Sequence, residues 1–114
     1  MTGGMTGGEY QVLAMRTCAV KPDKDKMLMH AVLGLSSEAG EVAGILQKQY
    51  QGHTVDAKHL LKELGDCLWM IAEACEALDC SMDECMRINI EKLKVRYPDG
   101  FDAEHSLHRA ANDI

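Results

Sequence analysis

Two pairs of carboxylates carry the strongest chemical signal in this 114-residue chain. Glu38 and Glu41 stand three apart in GLSSEAGEVAGILQKQY, residues 34–50, and Glu63 and Asp66 repeat the spacing in KELGD. On a helix, residues three apart are neighbours, with roughly 5–6 Å between their Cβ atoms. Each pair therefore forms a small acidic claw. An ordinary solvated helix face often sets Lys or Arg four residues after such acids. Here those positions hold Val42, Ile45, Cys67 and Met70, and the nearest cation is Lys62, four residues before Asp66. Two readings stand. The claws are a solvated acidic face, or they converge on a hard cation, Mg²⁺ or Mn²⁺, that relieves the mutual repulsion of four carboxylates.

Both claws also read E-x-G-[E/D], with Gly40 and Gly65 in the same place. Glycine inside a helix costs roughly 1 kcal/mol relative to Ala. The matched positions predict that another helix approaches closely behind each claw.

The elements that position these acids are legible from breakers and caps. Residues 9–20 predict a first helix, stopped by Pro22 and the charged run after it. A second helix spans about 25–50. Gly52, His53 and Thr54 form a loop, and a third helix covers about 56–78. Ser81 and Glu84 form a capping box that opens a fourth helix, which ends before Pro98 in the turn YPDG. Asp102 caps a short final helix. No segment alternates with period two, so the fold class is all-α: four main helices in a bundle plus a short terminal one. On a helical wheel, Ala31, Val32, Leu35, Ala39, Val42 and Leu46 make the apolar arc of the second helix. Leu60, Leu64, Cys67, Leu68, Ile71 and Cys75 make that of the third. The acids lie at the edges of these arcs.

Residues 1–8 duplicate a Gly-rich unit and read as a flexible tail. Residues 9–114 read as one domain, the number expected at this length. Apolar residues make up 46% of the chain and aromatics 4%. Leu, Met, Ala, Ile and Val therefore fill the core, which suits packed helices. A net charge of −6 argues against a nucleic-acid surface. No apolar run is long enough to span a membrane. Five cysteines without a C-x-x-C pair and without a preceding signal peptide point to reduced thiols and a cytoplasmic location.

The ordered blocks carry a resemblance. GLSSEAGEVAGILQK, the Gly52–His53 pair, KELGDCLWMI, and N-x-x-K-L-x-x-R-Y-P-D-G-F from Asn89 to Phe101 resemble the MazG-like, all-α nucleoside triphosphate pyrophosphohydrolases. The likeness covers about residues 9–109. It implies a helical bundle completed by dimerisation, with homodimers or homotetramers. It implies cleavage of a nucleoside triphosphate between the α and β phosphates to a monophosphate and pyrophosphate. It implies Mg²⁺ held by Glu38, Glu41, Glu63 and Asp66, with Mn²⁺ as a possible substitute and Glu38 or Glu41 as the general base. The aligned motif makes Asn89 and Lys92 substrate contacts, Arg96 a weaker one, and Lys48 a further candidate on the acid side of its helix.

Trp69, off the apolar arc, is expected to stack on a base or fill a subunit interface. His53 has two readings, a substrate contact through the loop and a solvent-exposed loop residue, of which the second is preferred. The alternatives are a phosphoribosyl-ATP pyrophosphohydrolase, which shares the reaction, and a non-catalytic helical interaction module. A di-iron carboxylate bundle lacks its E-x-x-H pairs here. A zinc site from Asp102, His105 and His108 with Cys80 and Cys85 lacks C-x-x-C spacing.

Overall fold

The computed structural model describes residues 4–20 and 22–108. The first three residues of the expected tail and the chain beyond residue 108 lie outside that range. So does the side chain of His105, on which the zinc alternative rests. Five helices follow in order: α1 (Gly7–Met15), α2 (Lys24–Tyr50), α3 (Ala57–Ala77), α4 (Met82–Arg96) and α5 (Ala103–Leu107). Among the described residues there is no strand, and no helix is long and apolar enough to cross a membrane. The all-α expectation holds.

The helices begin where side-chain acceptors satisfy free amide groups. Asp23, Asp56, Ser81 and Asp102 cap α2 to α5, each accepting a backbone N–H from the first turn. Helix α1 opens two residues earlier than expected. Thr6 and Glu9 form a full capping box, which recruits Gly7 and Gly8 out of the tail. The two glycines then lie against α4. A Cβ on Gly7 would meet Met86 Sδ at 2.9 Å and Met82 Cβ at 3.0 Å, and the Gly8 N–H donates to Asp83 Oδ2 at 3.0 Å. Helix α1 also stops short of residue 20. The Ala14 carbonyl accepts from the Thr17 hydroxyl at 2.8 Å and the Trp69 indole N–H at 3.1 Å, and tight turns through Thr17 and Cys18 replace the next helical turn.

Helices α2 and α3 make the principal pair, with α1 laid across α3 and α4 folded back against α1 and α3. The buried centre comprises Ala14, Met15, Met27, Ala72, Cys75, Ala77 and Met82. Gln11 ties the three-helix corner together. Its amide N–H groups donate to Glu76 Oε1 and the Cys80 carbonyl, both at 3.0 Å, while its carbonyl accepts the Met82 N–H at 2.7 Å.

The packed stripe of α2 runs through Met27, Ala31, Gly34, Glu38, Val42 and Ile45, all buried or half-buried. Glu38 therefore lies on the packed stripe, not at the edge of the arc. Val32, Ala39 and Leu46 of the expected arc are exposed, as are Leu64 and Leu68 of α3. Each helix carries more apolar surface than one neighbour covers, and the wheel merged two faces into one. The glycine expectation also fails within the chain. A Cβ at Gly40 or Gly65 would meet nothing within 4 Å, whereas one at Gly34 would strike Met70 Sδ at 2.5 Å. Gly34 is where α2 and α3 make their close approach.

A buried carboxylate sits in this core. Glu73 has 0% exposure, and its two oxygens are used by His30 Nδ1 at 2.7 Å and the Cys18 thiol at 3.4 Å. Trp69 meets the His30 ring edge-on, at a centroid distance of 6.2 Å.

Helix α3 ends with Asp79 in the left-handed region at φ 56°. The Cys80 N–H returns to the Cys75 carbonyl at 3.0 Å and the Asp79 N–H to that of Glu76 at 3.1 Å. This is the Schellman arrangement, which sets the side chains of its third-from-last and second-following residues together. Here both are cysteines. Burial pushes the Cys75 thiol up to about 12, and the adjoining thiols of Cys80 and Cys85 reinforce the shift. A thiol held above its ordinary 9.0 favours the fold below that value, and the contribution is lost as pH rises toward 12. Iodoacetamide at pH 8 is expected to label exposed Cys85 and spare Cys75 in the folded protein. Mass spectrometry of the labelled peptides checks this.

Candidate metal centre

The long α2 and α3 run side by side and carry the claws to one place. Carboxylate oxygens of Glu38, Glu63 and Asp66 lie within 4.8 Å of one another. Glu38 and Glu63 are half-buried and Asp66 is exposed. Among the described residues this is the only group of three or more acid, His or Cys side chains so arranged. Three hard oxygen donors from two helices fit a divalent cation of the Mg²⁺ or Mn²⁺ type.

The electrostatics point the same way. Burial, then the negative charges of Asp66, Glu63 and Glu41, hold the Glu38 carboxyl above the ordinary carboxylate range. Among the described residues no Lys or Arg pairs with any of the four acids, and Glu63 alone has a basic neighbour, His59 Nε2 at 3.4 Å. Because Glu38's folded value is raised, its contribution to stability is present below the unfolded value and is lost as pH rises through the folded one. In metal-free protein, Asp66→Asn is expected to bring the Glu38 titration down toward the ordinary range. Carboxyl-detected NMR titration reads this directly.

Glu41 is not in the three-residue group. It is exposed and faces a cleft of about 480 Å³ between the end of α2 and the start of α3. Glu63 borders that cleft as well, as do Lys48, His53 and His59. The loop has Gly52 at φ 100°, and the His53 N–H returns to the Lys48 carbonyl at 2.9 Å. That closure folds His53 back over the end of α2. The sequence marked Lys48 and the Gly52–His53 pair separately and passed over His59, because the turn that brings the three together depends on one glycine dihedral.

Tyr10 is a second residue that sequence reasoning missed. Its hydroxyl donates to the Gly65 carbonyl at 3.4 Å, and burial, then the charge of Asp66, push its ionisation upward. The register of α1 on α3, which sets this contact, leaves no mark in the sequence.

Asn89 and Lys92 lie on exposed α4, and their side chains make no hydrogen bond or ion pair among the described residues. Arg96 is half-buried near the end of the same helix. Helix α4 packs on α1 and α3, so within one chain it does not form the wall opposite α2. Trp69 is half-buried against the core. Its indole N–H is taken by Ala14 and, at 2.9 Å, by Thr17 Oγ1, so it braces α1 to α3.

Comparison with known proteins bears on the same segment. The profile of the MazG nucleotide pyrophosphohydrolase domain matches residues 28–101. That span contains the four acids, Lys48, Asn89, Lys92 and Arg96, and leaves out α1. The chain is also similar to the Gene 37 protein of Mycobacterium phage L5, with 30% identity over 97 residues, 76% of this chain and 84% of the phage protein. No solved structure matches the chain.

Proposed function

Since the chain belongs to the MazG nucleotide pyrophosphohydrolase family, we propose that it is a Mg²⁺-dependent nucleoside triphosphate pyrophosphohydrolase. The reaction cleaves the substrate between its α and β phosphates, releasing a nucleoside monophosphate and pyrophosphate. The observation that carries this reading is the convergence of Glu38, Glu63 and Asp66, within 4.8 Å, inside the family-matched segment.

A triphosphate is strongly anionic, so carboxylates can serve it only through a cation. Glu38, Glu63 and Asp66 would hold Mg²⁺, with Mn²⁺ as a substitute. When bound, the ion supplies the positive charge that gathers the phosphates and lowers the pKa of water. Glu41, outside that trio and facing the cleft, is the carboxylate left to orient the attacking water and take its proton. Asn89 and Lys92 are assigned to the substrate, with Lys48 and Arg96 as supporting cations.

The same reading includes a homo-oligomer, a dimer or a tetramer. Exposed Val32, Leu33 and Leu46 on α2, Leu61, Leu64 and Leu68 on α3, and Met86, Ile88, Ile90, Leu93 and Val95 on α4 support it. Large apolar side chains exposed on three helices suit burial against a second copy. A second copy would bring another α4 to the acids that this chain's own α4 leaves uncovered. Five free thiols agree with a cytoplasmic setting.

The test is pyrophosphate release from a panel of ribo- and deoxyribonucleoside triphosphates and phosphoribosyl-ATP, with and without Mg²⁺, beside Glu38→Gln. Metal-dependent pyrophosphate that disappears in the variant is the expected result. Turnover of phosphoribosyl-ATP alone would select that rival. Silence across the panel, from folded protein that binds no metal, would reduce the chain to an interaction module.

A further inference from the structure

We propose that the cleft at the α2–α3 corner receives the terminal phosphates of the substrate, the part that departs as pyrophosphate, with Lys48, His53 and His59 as their donors. The inference rests on the pyrophosphohydrolase reading above and adds to it which part of the substrate lies where.

The cleft's lining combines two chemistries. Glu41 and Glu63 supply carboxylates, and Glu63 belongs to the three-oxygen cluster, so the cleft adjoins the proposed metal position. Lys48, His53 and His59 supply cation-capable groups, brought from the last turn of α2, the loop and the first turn of α3. The helix α3, 21 residues long, also directs the positive end of its dipole this way, since its first turn borders the cleft. Ile45 and Val55 are the large apolar groups of the lining, and no Phe, Tyr or Trp is present to stack a base. The lining therefore suits an anion better than a nucleobase.

Geometry also fixes the donors. The backbone bond from the His53 N–H to the Lys48 carbonyl holds the loop against the end of α2, and the His59 side chain is tethered to Glu63. Cation-capable groups interleaved with carboxylates would hold a metal–pyrophosphate unit, the former on the phosphate oxygens and the latter on the metal. Binding of the anion then requires the metal, because Glu41 and Glu63 alone repel it.

Calorimetric titration of the intact protein with inorganic pyrophosphate in Mn²⁺ tests the site, with Mn²⁺ alone followed by electron paramagnetic resonance. His53→Ala and Lys48→Ala are expected to weaken pyrophosphate binding roughly tenfold each, the scale of one hydrogen bond to a charged group. Mn²⁺ binding and nucleoside monophosphate binding stay unchanged in both. Unchanged pyrophosphate affinity in both variants overturns the proposal. So does selective loss of monophosphate affinity, which would make the cleft a nucleoside site. Histidine-dependent pyrophosphate binding supports the site even where no nucleoside triphosphate is turned over, so the reaction and the cleft fail separately.

Discussion

Replacing Glu63 by glutamine is expected to leave the helices folded and to remove metal-dependent hydrolysis. Glu63 belongs to the three-carboxylate cluster, borders the cleft, and meets His59 at 3.4 Å. No other side chain joins all three features. Glutamine keeps the volume and one carbonyl oxygen but gives up the negative charge that a divalent cation requires. Loss of an outer-shell partner of a metal ligand costs roughly 10–100-fold, and loss of a ligand should exceed that. The fold does not depend on this charge. Glu63 is repelled by Glu38 and Asp66 when no cation is present, so its neutralisation leaves stability unchanged or slightly raised. Steady-state turnover and thermal melting, measured beside Glu91→Gln on exposed α4, check both halves. Wild-type turnover in Glu63→Gln would show that the acidic cluster is not the reaction centre.

The second large effect concerns stability. His30→Ala is expected to destabilise the fold by about 2–3 kcal/mol, the scale set by a hydrogen bond to a charged group. Glu73 has no exposure, and His30 is its strongest partner at 2.7 Å. Removing the imidazole leaves a buried carboxylate with the Cys18 thiol as its other contact, and the desolvation penalty of the acid is no longer offset. For a domain of this size the melting temperature should fall by roughly 10 °C. Adding Glu73→Leu to His30→Ala should recover much of the loss, because the stranded group is then gone. Thermal unfolding of both single variants and the double variant closes the cycle. Additive losses would show that the pair does not act as a unit.

The local features of the fold were legible because local chemistry determines them. Ser81 and Asp102 cap helices as their residue types indicate, and the repeated acidic spacing announced two claws before any helix was placed. What depends on helix register was not legible. Val32 and Leu46 read as core because they are apolar, yet they face outward. Gly40 and Gly65 read as helix contacts, while Gly34, in no motif, makes the close one. Glu73 drew no reading from the sequence, since nothing local marks a glutamate that will be buried beside a distant histidine. The end of α1 was lost for a similar reason. Its terminating partner, Trp69, lies more than fifty residues away.

The methionines of the core have a further consequence. Met15, Met27 and Met82 are almost wholly enclosed, while Met5, Met29 and Met86 stand exposed on the same chain. Peroxide converts a thioether to a bulkier, polar sulfoxide only where it can reach the sulfur. The exposed set therefore reports the oxidant dose, and the enclosed set reports how often the helices part. The chain contains its own clock for transient opening, read by mass without any added label.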